Sequence, residues 1–268
     1  MMKNKSAWEK VEIARDSNRP TAMDYINYMF DDFIELHGDR AFKDDKAIVC
    51  GLGKINNQNY TIIAEQKGRN TKENIERNFG MPNPESYKKA IRFMKQAEKF
   101  NRPIITFIDT KGAFPGIEAE ERCQGEAIAS SMFEMAKVHV PIISIVIGEG
   151  SSGGALAIGV ANKVYMLENA IYSILSPEGF SSIIWKDASR AKEAAEKMKL
   201  TAQDLYEMNV IDEIIKEPKI EKNEFIIEIS NQLKKKITND IIEFKKINKE
   251  EIKEQRYNKY RTIGSNII

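Results

Sequence analysis

Residues 142–160 read IISIVIGEGSSGGALAIGV, and this stretch decides the fold. Ile142 to Ile147 is a short apolar run without alternation, the pattern of a strand buried on both faces. Gly148 to Gly154 carries four glycines, which predicts a turn opening a short helix through Val160. The same order occurs just upstream. Ile104 to Ile108 reads as a buried strand, Asp109-Thr110-Lys111-Gly112-Ala113-Phe114-Pro115-Gly116 as a turn, and Glu118 to Val138 as a helix ended before Pro141. Downstream, Val164 to Leu167 and Ile171 to Leu175 predict two more strands. Ser176-Pro177-Glu178-Gly179 opens a further helix, with proline at an early position. Repeated strand–turn–helix order predicts an α/β fold with a largely parallel sheet.

The flanks read differently. In the first 40 residues Tyr25, Tyr28, Met29, Phe33 and Leu36 recur at helical spacing, until Gly38-Asp39 breaks the pattern. Lys46 to Ile55 and Tyr60 to Gln66 predict a hairpin around Asn56-Asn57-Gln58-Asn59. Glu85 to Phe100 predicts a helix after the break at Pro82 to Pro84. Glu221 to Tyr260 predicts one long polar helix, with Phe225, Ile226, Ile229, Leu233, Ile237, Ile241 and Phe244 on one face. No linker rich in Pro, Gly or Ser separates two domains. The expected organisation is a helical arm over 1–40, a core over 41–217 and a second helical arm over 218–268.

Composition narrows the function. The chain has 268 residues with 41 Lys+Arg against 40 Asp+Glu, a net charge of +1. That balance excludes a strongly basic nucleic-acid binder as a whole-chain reading. Two cysteines, Cys50 and Cys123, without a C-x-x-C pair, provide neither a disulfide framework nor a structural zinc site. Two histidines, His37 and His139, leave little for His-based chemistry. The start, Met1-Met2-Lys3-Asn4-Lys5, is basic but no apolar segment follows, and Val140 to Ile147 is far short of a membrane span. A cytoplasmic protein is expected. Between Lys67 and Arg102, ten Lys/Arg face four Glu. This local excess reads either as a solvated helix face or as a cradle for an anionic ligand, without aromatic interleaving of the kind a single-strand platform needs.

The glycine-rich turn supports three chemistries. Gly148, Gly150 and Gly153 spell G-x-G-x-x-G, with Glu168 where a ribose-binding acid would stand, as in a dinucleotide-binding oxidoreductase. Against this, the motif lies about 100 residues into the α/β pattern rather than on its first strand. Gly150-Ser151-Ser152-Gly153-Gly154 also spells G-x-S-x-G, which makes Ser152 a nucleophile, yet no histidine follows it in the chain. His139 precedes it and reads as a partner for a helix C-terminus. Third, consecutive glycines where a strand meets a helix leave peptide N–H groups unpaired, and such donors stabilise an oxyanion without titrating. The plainer reading of Gly153-Gly154 is close helix–strand packing.

Five stretches resemble the α subunit family of bacterial acetyl-CoA carboxylase carboxyltransferases. They are AFKDDKAIV (41–49), QKGRNTKENIERNFGMP (66–82), IITFIDTKGAFPGIEAEE (104–121), IGEGSSGGALAIGV (147–160) and YSILSPEGFSSIIWK (172–186). The resemblance implies a crotonase-like superhelix of repeated β-β-α units. It implies transfer of the carboxyl group of carboxybiotin, carried on a biotin carboxyl carrier protein, to acetyl-CoA, giving malonyl-CoA for fatty acid synthesis. The family's chemistry passes through enolates that need oxyanion holes and no side-chain base. By position the hole falls on Gly153 and Gly154, with a second donor turn at Gly112 and Ala113. Lys67, Arg69, Phe114, Gly116, Ser176 and Gly179 are the implied substrate-binding residues, Lys67 and Arg69 facing CoA phosphates or another subunit. The implied partners are a zinc-ribbon β subunit in an α2β2 assembly, the carrier protein and biotin carboxylase; biotin is not attached to this chain and no metal is expected on it. Another acyl-CoA, such as propionyl-CoA, is the alternative substrate. The family usually has Pro at Lys111 and Gly at Ser151, which raises the question of the backbone angles at Ser151.

Overall fold

The structure, a computed structural model, describes residues 5–265; the outermost residues of both expected arms, including the basic start Met1 to Asn4, lie outside the described residues. In chain order the elements are α1 (Ala7–Arg15), α2 (Ala22–Met29), β1 (Asp31–Glu35), β2 (Ile48–Ile55), β3 (Gln58–Glu65), α3 (Thr71–Glu76), α4 (Pro84–Lys99), β4 (Ile104–Thr110), α5 (Ile117–Glu121), α6 (Gln124–Lys137), β5 (Ile142–Ser151), α7 (Ser152–Leu156), β6 (Lys163–Leu167), β7 (Ile171–Ser173), α8 (Pro177–Trp185), α9 (Ala191–Lys197), α10 (Ala202–Glu207), β8 (Glu213–Ile215), α11 (Lys222–Phe244) and α12 (Lys249–Thr262). One sheet runs β1-β2-β3-β4-β5-β6-β8. β1 to β3 are antiparallel neighbours, and every later pairing is parallel. β5 is the longest strand. Its first half, to Val146, pairs with β4 and β6, and its last three residues, Glu149 to Ser151, pair with β7 in place of β6 while Gly150 still faces Thr110 of β4.

β4 and β5 are buried along their whole length, as their unbroken apolar runs require. Their few hydroxyls are satisfied internally: Thr106 Oγ1 donates to Ile158 O at 2.8 Å and lies 2.7 Å from Ser144 Oγ. α4 and α6 pack together over this sheet, contributing Tyr87, Phe93, Met94 and Met135 to the core. α1 docks separately through Ala7, Val11 and Ala14 onto Ile171, Ala195 and Leu200.

Four expectations are corrected. Phe33 is in a strand, not a helix: β1 pairs with β2, and the Phe33 ring fills the space that a Cβ on Gly51 would need, 2.5 Å away. Helical spacing holds up to Met29, but pairing with an open sheet edge decides the conformation beyond it. The helix read over 118–138 breaks between α5 and α6, where Cys123 takes φ +63°. The long C-terminal helix is two helices, because Asn248 accepts Glu251 N–H at 2.9 Å in a capping box and starts α12 anew. Finally, β5 extends through Ser151, so half of the glycine-rich segment is strand rather than turn.

Candidate active site

β3, β4 and β5 are adjacent parallel partners whose C-terminal ends lie on one side of the sheet. Each ends an apolar run with an acid: Glu65, Asp109 and Glu149. Beyond β4 lies the turn 110–113, and beyond β5 lies the turn into α7.

The two turns touch. A Cβ on Gly154 would sit 2.7 Å from Ala113 N and from Gly112 C, so only glycine allows this approach. Thr110 shapes the first turn by accepting Gly112 N–H at 3.0 Å. Its hydroxyl also reaches Gly80 O at 2.6 Å and Gly112 O at 2.9 Å. Gly112 itself has φ +132°, a region costly for other residues. Among the described residues Ala113 N–H has no hydrogen-bond partner. At the second turn, Gly153 N–H lies 2.5 Å from the neighbouring Ser152 Oγ. Gly154 N–H lies in the first turn of α7, where no intrahelical acceptor exists. Of the four expected donors, Gly112 and Gly153 are thus engaged locally, and Ala113 and Gly154 are the pair left for a ligand oxygen.

Beside these turns lies a polar cleft of about 490 Å³, lined by the end of α1, the 67–68 loop, the ends of β4 and β5, and the start of α8. Ionic contacts organise its floor. Lys67 Nζ lies 2.5 Å from Asp109 Oδ1 and 3.5 Å from Glu149 Oε1. Arg15 joins Glu149 at 3.0 Å and Glu178 at 2.7 Å. Arg19 joins Glu217 at 2.6 Å. Burial acts to lower the Lys67 pKa, but the Asp109 and Glu149 charges outweigh it and hold the ammonium above its ordinary value. Glu65 goes the other way: burial pushes its carboxyl well above the usual range, against the Asp109 N–H bond that favours the charged form.

The remaining expected site residues divide. Ser176 lines the cleft as the N-cap of α8 and accepts Gly179 N–H at 3.0 Å. Phe114 and Gly116 continue the first turn; the Phe114 ring occupies the place that a Gly116 Cβ would take. Lys67 reaches the cleft with its ammonium committed to two carboxylates. Arg69 does not line the cleft and pairs with Asp24. The basic segment is mostly framework: besides Lys67 and Arg69, Arg77 donates to Lys46 O, Lys89 to Asp44 and Asp45 O, Arg92 to Gly38 O and Arg102 to Thr61 Oγ1. The reading by sequence did not single out Glu65, Asp109, Glu149, Arg15 or Arg19. Acids at the ends of three apolar runs were the available signal.

The dinucleotide and nucleophile readings lose their footing. A Cβ on Gly148 would collide with Asp109 Oδ1, and one on Gly150 would stand 2.7 Å from the Tyr172 ring. Both glycines sit in β5, and protein side chains fill the space that a pyrophosphate would require. Glu168 pairs with Lys216 at 2.9 Å rather than awaiting a ribose. Ser152, not Ser151, takes the left-handed conformation, at φ +57°. But neither histidine is available to activate it. His139 lies 2.7 Å from Glu98 and 3.1 Å from Glu250, bridging α4 and α12, and His37 lies beside Asp44 at 3.2 Å.

Comparison with known proteins adds an independent line. The family model described as "Acetyl co-enzyme A carboxylase carboxyltransferase-like" matches residues 1–264. A protein of Clostridium perfringens named acetyl-coenzyme A carboxylase carboxyl transferase subunit alpha is 58% identical over 267 residues, covering 100% of this chain and 98% of its own. The protein of the same name from Staphylococcus saprophyticus is 54% identical over 98% of this chain and 83% of its own. Among solved structures, transcarboxylase 12S superposes with a TM-score of 0.66 at 20% identity, over 83% of this chain and 43% of that one. The beta subunit of geranyl-CoA carboxylase from P. aeruginosa gives 0.61 at 16% identity, over 85% and 44%. These two likenesses bear on the fold, a crotonase-type carboxyltransferase fold.

Proposed function

Because this chain belongs to the acetyl-CoA carboxylase carboxyltransferase α family, we propose that it is a biotin-dependent carboxyltransferase subunit working toward malonyl-CoA. Carboxybiotin, on a separate carrier protein, supplies the activated carboxyl group, and acetyl-CoA accepts it. The residues present fit such a reaction. It develops negative charge on carbonyl oxygens, and two uncommitted peptide donors, Ala113 N–H and Gly154 N–H, lie on turns in van der Waals contact. Preorganised donors of this kind cost no reorganisation when charge develops. Neither histidine approaches the glycine turns, which agrees with a reaction whose proton transfers stay between the substrates. The contact of the two turns is the observation that carries this reading.

The α2β2 assembly with a zinc-ribbon β subunit, and work with a carrier protein and biotin carboxylase, belong to the same proposal. The test is reconstitution. Purified chain mixed with its zinc-ribbon partner should carboxylate biotin at the expense of malonyl-CoA, and each chain alone should be inactive. Full activity from this chain alone would overturn the two-subunit assignment.

A further inference from the structure

The end of β5 is tied in place from several sides. β4 and β5 keep register from Ile104↔Ile142 to Ile108↔Val146, then slip, so that Thr110 faces Gly150. Ile147, Gly148 and Glu149 therefore stand opposite Asp109 alone, as an extended bulge. Asp109 Oδ1 accepts Glu149 N–H at 3.0 Å. Arg19 Nε donates to Ile147 O at 2.7 Å. Lys67 Nζ reaches both carboxylates, Asp109 at 2.5 Å and Glu149 at 3.5 Å. Its stem crosses Gly80, where a Cβ would meet Lys67 Cγ at 2.7 Å. Asp109 and Glu149 are both nearly buried, at 5% exposure each, so their charges need a counter-ion close by.

The bulge decides how far β5 runs past β4, and hence where Gly154 sits relative to Ala113. We propose that Lys67 is a positioning residue: by neutralising Asp109, whose carboxylate holds the bulge, and sharing Glu149 with Arg15, it sets the spacing of the two peptide donors without touching substrate. This rests on the carboxyltransferase reading above. It differs from a phosphate-binding role for Lys67, which would act on CoA affinity.

The experiment uses the full chain reconstituted with its zinc-ribbon β subunit, with malonyl-CoA and free biotin as substrates. Lys67→Met should lower kcat about 10²-fold, the scale of an ångström-level misplacement, with KM for malonyl-CoA changed less than about threefold. Lys67→Met with Asp109→Asn should recover about tenfold of that loss. The amide oxygen introduced by Asp109→Asn still accepts Glu149 N–H, and the pair of facing carboxylates is reduced to one. A raised KM at unchanged kcat, or no recovery in the double variant, overturns the proposal. If Lys67→Met fails to assemble, Asp109→Asn is compared with Asp109→Ala. The alanine, which removes the acceptor, should be at least tenfold slower, and equal rates overturn the proposal. An inactive wild-type complex overturns the carboxyltransferase reading and takes this inference with it. An active one isolates the role of Lys67.

Discussion

Gly153 and Gly154 are neighbours in sequence, yet the geometry assigns them opposite tolerances to a methyl group. An alanine Cβ at Gly154 would lie 2.7 Å from Ala113 N and Gly112 C, both backbone atoms, whereas ordinary contact begins at 3.4 Å. The two turns must part by about 0.7 Å or tilt by an equivalent amount. A misplacement near 1 Å costs on the order of 10²-fold in rate, so Gly154→Ala should lower kcat about 30- to 100-fold. Overpacking should also cost about 1–3 kcal/mol of stability. At Gly153 the nearest atom is Ile128 Cγ2 at 3.3 Å, the end of a side chain that can turn aside. Neither glycine has positive φ, so alanine carries no backbone penalty at Gly153 and gains about 0.5–1 kcal/mol in a helix. Gly153→Ala should therefore keep kcat within about threefold and melt no lower than wild type. The assay is malonyl-CoA-dependent carboxylation of biotin by the reconstituted complex, with thermal unfolding of each variant. Wild-type kcat in Gly154→Ala, or an equal loss in both variants, would falsify the two-turn oxyanion site.

Two further outcomes follow from the same geometry. Ser152→Ala should retain turnover within a few-fold, since no histidine reaches Ser152; abolished turnover in a folded variant restores Ser152 as nucleophile. Glu65→Gln should change how stability depends on pH. The folded carboxyl is held well above the ordinary 4.5, so the folded state keeps a proton that the unfolded chain loses above that value. Its contribution is complete below pH 4.5 and fades as pH rises toward the folded value, by up to about 1.4 kcal/mol per pH unit. Glutamine does not titrate, and it can still accept Asp109 N–H. Denaturant unfolding should show the variant gaining on wild type over the pH range from about 4.5 up toward the folded value. An identical difference at both ends of that range argues that Glu65 is ionised in the fold.

Much of this was legible in the chain. Ile104 to Ile108 and Ile142 to Ile147 announced buried parallel strands, because a strand covered on both faces has no polar face to display. The glycines at 112 and 153–154 likewise marked the two turns that come into contact. Several misses share one physical source, partners distant in sequence, whereas the breaks at Cys123 and at the Asn248–Glu251 capping box are local. Phe33 followed helical spacing but lies in β1, which pairs with β2, and its ring fills the gap at Gly51. The bulge opposite Asp109 leaves no periodic signature, since its residues are held by Arg19 and Lys67 from loops distant in sequence. The excess of positive charge between Lys67 and Arg102 suggested an anion cradle, yet much of it is spent on carbonyls and carboxylates of the protein itself.

The two look-alike motifs in 148–154 arise because different demands select the same residue. Gly148 yields space to a carboxylate, Gly150 to an aromatic ring, and Gly154 to another stretch of backbone. A pattern of glycines records only that each lacks a Cβ, not what the missing Cβ would have met. The identity of that neighbour separates the chemistries. A pyrophosphate site needs its glycines open to solvent; here an anionic side chain already stands at Gly148, and a second anion would meet repulsion there. Only at Gly154 is the neighbour a peptide group with an N–H to offer. The oxyanion reading therefore rests on what surrounds each glycine rather than on the motif they spell.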